Sequence, residues 1–252
     1  MEVFKDYAYY YNICYRDKDY KGEAEQVSGL LKKYGKDIKN IINFGCGTGR
    51  HDIELSQLGY HCTGIDMSPV MIEIAKENLS KAQAEIDFSV EDIRVFQPSV
   101  TYDAVISLFH VMSYQNSNED IRAAFEAARK SVAPGGIFLF DVWYGPGVLS
   151  DKPSVRVKEM EDEQNKIIRI ARPVMHEQKN VVDVCYEILV MNKETDVVKT
   201  INEVHHMRYF FRPELELLLE QTGFELVDNL DCQSLGETSF DSWTSYFVAR
   251  AV

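Results

Sequence analysis

The chain of 252 residues is long enough for one large domain, or a core with an added lobe, and too short for an elaborate modular enzyme. Hydrophobic residues at 45% and aromatics at 12% suffice to fill a core and exclude disorder as the main state. With 40 acidic residues against 27 basic ones, the net charge of −13 repels a phosphate backbone, so nucleic acid is not an expected partner. The five cysteines, Cys14, Cys46, Cys62, Cys185 and Cys232, are scattered without a CxxC pair and leave an odd one over, which argues against a disulfide framework or a bound metal. Met1 to Asn12 carries acids and tyrosines where a signal peptide needs a basic start and an apolar stretch, and no apolar run approaches bilayer length. The expectation is a soluble, cytoplasmic protein with no membrane partner.

An aromatic stretch, DYAYYYNICYRDKDY (Asp6 to Tyr20), leads into an amphipathic helix, so residues 1–39 read as a lid and helix ahead of the core. From Asn40 onward, short apolar runs alternate with amphipathic stretches. Ile41 to Phe44, His61 to Asp66, Ile86 to Val90, Tyr102 to Phe109 and Gly136 to Trp143 read as strands. Between them, His51 to Leu58, Pro69 to Lys81 and Glu119 to Val132 carry apolar residues at helical spacing. Ser68-Pro69 is an N-cap with proline at the first helical position, and Pro134-Gly135-Gly136 is a stop signal. The alternation predicts an α/β fold, a Rossmann-like doubly wound and mostly parallel sheet. After Gly145-Pro146-Gly147 the runs KIIRIARPVM, VVDVCYEILVM and VKTINEVHHMRYFF follow one another without a helical spacer, which predicts antiparallel hairpins. The helical pattern returns in PELELLLEQTGF, followed by two closing strands. The reading is a single domain over 1–252, its core at 40–145 and 212–252, with an antiparallel β lobe inserted at 146–211.

FGCGTG (Phe44 to Gly49) falls between the first strand and the first helix of that core. Glycines there let the backbone turn sharply and approach a ligand at the carboxyl end of the sheet. Asp66 ends the second strand about twenty residues on, where a carboxylate can accept two ribose hydroxyls. Taken singly, the loop could be only a tight turn and Asp66 only a helix N-terminal acid; together they point to an adenosine-containing cofactor. Gly45, Gly47 and Gly49 give GxGxG, with Arg50 where the dinucleotide fingerprint wants its third glycine, and this disfavours NAD and FAD.

With these residues the sequence resembles the class I S-adenosylmethionine-dependent methyltransferases, whose first motif ends in GCGTG. Asp92 and Ile93 in EDIRVF match the family's adenine-holding position, and VAPGG (Val132 to Gly136) matches its turn before the fifth strand. The resemblance implies S-adenosyl-L-methionine as cofactor, held by Tyr15, Gly45, Cys46, Gly47, Gly49, Asp66, Met67, Asp92, Ile93 and Leu108. One departure is Asn43, where the family usually has an acid; Asn keeps an acceptor and loses the charge, so weaker binding is expected. Cys46 reads as a small filler beside the cofactor.

Methyl transfer from a sulfonium needs positioning and exclusion of water more than acid–base machinery, although an amine must be neutral to attack. Three clusters supply candidates. In the N-terminal segment, Tyr11 or Tyr15 matches a family tyrosine near the methionine end. LFHVMSY (Leu108 to Tyr114) follows the fourth strand and offers His110 as a base. NEVHHMRYFF (Asn202 to Phe211) ends the lobe, and strand alternation puts Glu203, His205 and Met207 on one face and His206 and Arg208 on the other, of which one can face the site. The candidate catalytic residues are His110, Tyr11 and His205; the candidate substrate contacts are Tyr114, Trp143, Arg172, Glu203 and Arg208. KDY (Lys18 to Tyr20), MIEIAKENL (Met71 to Leu79), VAPGG, DVW and the inserted lobe resemble N-methyltransferases of nucleotide-linked amino sugars. That group's catalytic histidine falls near Ser113, not on His110. Arg156, Arg169, Arg172 and Arg208 are available to a diphosphate. The expected substrate is a small-molecule amine such as an amino sugar on a nucleotide. The rivals are a small-molecule O-methyltransferase and a cofactor-binding protein without chemistry. A homodimer through the lobe strands is a further expectation.

Overall fold

The structure, a computed structural model, describes residues 8–82 and 84–252. Its centre is β1 (Asn40–Phe44), flanked in parallel by β2 (His61–Asp66) and β4 (Tyr102–Ser107), then by β3 (Asp87–Val90) and β5 (Val132–Tyr144), in the order β3-β2-β1-β4-β5. Both faces of this sheet are covered, so its strands are apolar at successive positions, unlike a sheet with one wet face. Ile41, Ala104, Ile106, Ile137 and Leu139 pack against α2 (Tyr20–Tyr34), α3 (Arg50–Gln57) and α4 (Pro69–Ser80). Their neighbours Ile42, Phe44, Val105, Phe138 and Phe140 pack on the other face against α5 (Asn118–Ser131) and α7 (Arg212–Gln221). After α7, β10 (Phe224–Asp231) and β11 (Thr244–Ala251) close the sheet, β11 antiparallel to both β5 and β10.

Local chemistry sets the helix starts. Ser68 Oγ accepts the Met71 N–H at 3.3 Å, with Pro69 in the first turn, and Ser117 Oγ accepts the Asp120 N–H at 3.0 Å. At α7 the Glu214 carboxylate accepts the Phe211 N–H at 3.0 Å, and Gly223 follows the helix at φ +85°. Pro134-Gly135-Gly136 does not end a helix: α5 stops at Ser131 and the triplet forms an irregularity at the start of β5, where the register with β4 shifts between Tyr102 and Ala104.

Between β5 and α7 lie a short helix, α6 (Gly145–Ser150), and four antiparallel strands: β6 (Arg156–Glu161), β7 (Asn165–His176), β8 (Val181–Asn192) and β9 (Val198–Phe210). The last residues of β9, Tyr209 and Phe210, pair in parallel with Trp143 and Tyr144 of β5, so lobe and core share one eleven-stranded sheet. The helix α1 (Ala8–Cys14) is docked on the lobe. Cys14 packs with Met160, Ile167 and Ile188, its carbonyl accepts Lys158 Nζ at 2.7 Å, and Arg16 Nη2 donates to the Glu161 carbonyl at 3.0 Å. Asp6 and Tyr7 of the aromatic stretch, and the start of the segment from Met1, lie outside the described residues. Among the described residues no helix is long and apolar enough to cross a membrane.

Phe88 of β3 locks the glycine loop to the sheet. A Cβ at Gly49 would stand 2.5 Å from its ring, and one at Gly64 of β2 would stand 2.6 Å from it. Gly64→Ala overpacks this contact, and it is expected to cost about 1–3 kcal/mol. Urea unfolding followed by circular dichroism checks this as a lower midpoint at unchanged slope, and adding Phe88→Leu should recover part of the loss.

Candidate active site

A cavity of about 480 Å³ opens at the carboxyl ends of β1, β2 and β4, with α1 over it and β8 and β9 of the lobe as its far wall. Its floor is the loop after β1. Gly45, Gly47 and Gly49 have φ of +76°, +55° and +70°, a conformation that side chains with a Cβ rarely adopt. At Gly45 a Cβ would stand 2.5 Å from Val111, whereas at Gly47 it would meet nothing within 4 Å, so the backbone there is bare toward the cavity. Asp66 at the end of β2 ties the loop down. One oxygen accepts the Gly47 N–H and the other the Ser68 N–H, both at 2.9 Å, while burial raises its pKa above the ordinary carboxylate value. Burial likewise drives the Cys46 thiol well up, which leaves it protonated and unsuited to nucleophilic attack.

The end of β4 carries strained backbone. Phe109 and His110 both sit in the left-handed region, at φ +65° and +67°. The carboxylate of Asp141 on β5, 4% exposed, offsets this strain: it accepts the His110 backbone N–H at 3.1 and 3.2 Å and lies 2.5 Å from His110 Nδ1. Tyr114 ends the turn that follows His110, and its Oη lies 2.8 Å from His205 Nδ1, while His205 Nε2 lies 3.2 Å from Glu203 Oε2. Burial raises the Tyr114 and Tyr11 phenols well above their usual value, so both stay hydroxyls. Overhead, Tyr15 packs against Tyr11 at 4.6 Å and edge-on to Phe109 at 5.1 Å, and Arg50 lies over the Tyr20 ring at 4.1 Å.

Most of the residues expected from the sequence meet in this cavity: Tyr11, Tyr15, Gly45, Cys46, Gly47, Asp66, Met67, Asp92, Ile93, Leu108, His110, Tyr114, Trp143 and His205 all line it. The carboxylate of Asp92 is already clamped by Arg94, at 2.9 and 2.6 Å, which holds its pKa down; Asp120 anchors the same guanidinium at 3.1 Å. Four expected residues are not in the wall. Gly49 serves the Phe88 contact and the start of α3. Glu203 acts on His205 from behind. Arg172 lies on the open lobe face, paired with Glu187 at 2.8 Å, and Arg208 is 8% exposed, paired with Glu214 and stacked on Phe210. Arg156 and Arg169 are likewise absent from the wall, Arg169 lying over the rings of Tyr15 and Tyr186. Strand alternation holds at the end of β9: His205 is buried and bonded to the cavity-lining Tyr114, whereas the His206 ring is exposed and paired with Asp183 and its carbonyl accepts Asn116 Nδ2 at 3.2 Å. Asp141, Tyr186 and Arg94 were not anticipated. Asp141 had a signal, as the only acid of β5.

Residues 41–136 match the family described as Methyltransferase domain. That match, the glycine loop with its Asp66 tie and the strand order give residues 41–136 the methyltransferase domain of an S-adenosylmethionine-dependent enzyme, set in a Rossmann-like fold with an antiparallel lobe. The chain is 23% identical over 223 residues, 88% of its length and 91% of the relative's, to the dTDP-3-amino-3,4,6-trideoxy-alpha-D-glucopyranose N,N-dimethyltransferase of Streptomyces venezuelae. It superposes on the sugar N-methyltransferase KedS8 of Streptoalloteichus sp. with a TM-score of 0.83 at 21% identity, over 100% of this chain and 96% of that one. It is also similar to CalS10, an amino pentose methyltransferase of Micromonospora echinaspora whose structure holds S-adenosylmethionine, with a TM-score of 0.76 at 23% identity over 100% and 99%.

Behind the loop, Asn43 replaces the acid usual in the family, and an acid stands across from it. Asn43 Nδ2 donates to Asp52 Oδ2 at 2.9 Å, and both residues are buried. Burial pushes Asp52 up to about 7. Its folded pKa lies above its unfolded one, so the folded state binds the extra proton and stability falls as pH rises from about 4 through about 7. Asp52→Asn should flatten this decline, measured as melting temperature against pH; an unchanged slope would refute it.

Proposed function

We propose that the protein methylates an amine on a small molecule, most specifically the amino group of a nucleotide-linked amino sugar. The observation that supports this reading is the His110–Asp141 pair, an imidazole nitrogen 2.5 Å from a buried carboxylate, with His110 lining the same cavity as the glycine loop. An imidazole paired with a carboxylate can take the proton that an ammonium must lose before it attacks. Support for the sugar comes from two relatives, the Streptomyces venezuelae enzyme and a dTDP-4-amino-2,3,4,6-tetradeoxy-D-glucose N,N-dimethyltransferase of Saccharopolyspora spinosa, the latter 24% identical over 82% of this chain.

The residues present fit the cofactor. The bare backbone at Gly47 leaves room for a close approach, Asp66 is oriented by two N–H groups to accept ribose hydroxyls, and Asp92 and Ile93 border the place for adenine. When bound, S-adenosylmethionine supplies an activated methyl group. The chain then has three tasks. Tyr11, Tyr15 and Phe109 cover the site against water. Trp143 and the lobe wall hold the acceptor in line. His110 takes the proton that an ammonium must lose, and the Asp141 carboxylate stabilises the resulting imidazolium.

Titration calorimetry with S-adenosylmethionine, its demethylated product and NADH tests the cofactor, and turnover of dTDP-3-amino-3,4,6-trideoxy-α-D-glucopyranose against dTDP-glucose tests the acceptor. Binding of the first two ligands alone and methylation of the amino sugar alone are expected; transfer to the hydroxyl sugar overturns the amine reading. Gly47→Ala should cost the fold about 1 kcal/mol, because nothing meets its Cβ but its φ is positive. The same change should weaken cofactor binding at least about tenfold, since the methyl group stands where the ligand must approach. His110→Ala should lower kcat about 10²-fold with cofactor affinity unchanged.

A further inference from the structure

Where the roof meets the first helix after the glycine loop, donors gather without an acceptor. Arg50 opens α3 directly after Gly49 and lines the cavity. Its guanidinium lies 4.1 Å over the Tyr20 ring and donates to the Tyr15 carbonyl at 3.4 Å, and among the described residues no carboxylate pairs with it. Arg94, the other arginine in the wall, is bound to both Asp92 and Asp120. Tyr20 also lines the cavity. It is 6% exposed, and its hydroxyl is buried with no hydrogen-bond partner among the described residues. Burial raises this phenol to about 12, so it keeps its proton and can donate it to a hydrogen bond. Glu23, one turn along α2, does not serve it, because that carboxylate is paired with Lys18 and with His51 Nε2 at 2.7 Å. Gly49 offers α3 no capping side chain, which leaves the helix start favourable to negative charge. A guanidinium, a phenol and a helix start are all donors, and an anion with two oxygens satisfies them together.

We propose that Arg50 and Tyr20 hold the carboxylate at the amino-acid end of S-adenosylmethionine. The inference rests on the cofactor and not on which acceptor is methylated. Asp66 and Asp92, placed for the ribose and the adenine, are acids and repel that carboxylate. Arg50 stands one residue beyond the glycine loop, on the core side of the cavity, whereas a diphosphate on the acceptor belongs with the lobe wall. The assignment has a structural consequence. Arg50 holds the Tyr15 carbonyl and Tyr20 begins α2, so a carboxylate bound by the pair fastens the segment from Tyr15 to Tyr20 to α3. The roof residues Tyr11 and Tyr15 are thereby held by the ligand they cover.

Calorimetry with S-adenosylmethionine and its decarboxylated form isolates the carboxylate, since both keep the adenosine, the sulfonium and the amine. The unaltered protein should bind the first more tightly. Arg50→Gln should weaken S-adenosylmethionine about 10- to 100-fold and leave the decarboxylated form within about twofold. Tyr20→Phe should weaken S-adenosylmethionine about tenfold, while the melting temperature without ligand holds or rises, because the change removes an unpartnered buried hydroxyl. Hydrogen exchange of residues 8–20 should slow more with S-adenosylmethionine than with the decarboxylated form. Equal losses for the two ligands in Arg50→Gln, or unchanged affinity for S-adenosylmethionine, overturn the subsite and leave the cofactor in place. Titration with dTDP tests the other source of an anion: lost dTDP affinity in Arg50→Gln with S-adenosylmethionine affinity intact assigns the site to a nucleotide diphosphate and overturns the proposal. An unaltered protein that binds neither form of the cofactor overturns the cofactor and the subsite together.

Discussion

One carboxylate organises the nucleotide half of the site. Asp66 uses one oxygen on the glycine loop after β1 and the other on the turn that starts α4, so two successive β-to-α connections are fixed relative to each other before any ligand arrives. The loop also needs Phe88, whose ring fills the space that side chains at positions 49 and 64 would take. The glycines therefore divide the labour. Gly47 leaves room for a ligand, while Gly45 and Gly49 leave room for Val111 and Phe88. A GxGxG motif read only as a ligand cradle misses that two of its three members are packing constraints.

The sheet was legible in the sequence because both of its faces are buried. Residues such as Ile41 and Ile42 serve opposite layers, which produces the short apolar runs. The lobe was legible through its missing helical spacers. Legibility ended where a charged residue's partner is set by tertiary placement. Arg172 and Arg208 read as anion donors, yet Glu187 on the neighbouring strand and Glu214 on α7 pair with them. Asp52 was missed for the same reason. Asn43 signalled a missing acid, and only the three-dimensional placement of α3 shows an acid opposite it.

The cavity is assembled from three separate pieces of chain. Core loops supply the floor, α1 the roof and β8 and β9 the far wall, and each joint is tied by specific bonds: Lys158 to the Cys14 carbonyl, Arg16 to Glu161, and Trp143 and Tyr144 to the end of β9. Because β9 runs directly into the core sheet, the lobe side of the cavity inherits the rigidity of the sheet. A site on such elements can hold an acceptor closely enough for an in-line displacement to gain from orientation.

Charge follows the same logic. On the amine reading proposed above, a chain of net −13 favours the cationic forms of both reactants, a sulfonium and an ammonium. Within the cavity, Asp92 is covered by Arg94 and Asp141 is matched to His110, and Glu203 sits behind His205. None of these three carboxylates is left as an isolated ion that would hold an ammonium in its charged, unreactive form. Each acid is separated from the acceptor by a group that can carry a proton or a positive charge, so the overall field draws cations in while the local hydrogen bonds permit the proton to leave. That separation matters if the acceptor is the proposed amine, whose nucleophile exists only after deprotonation.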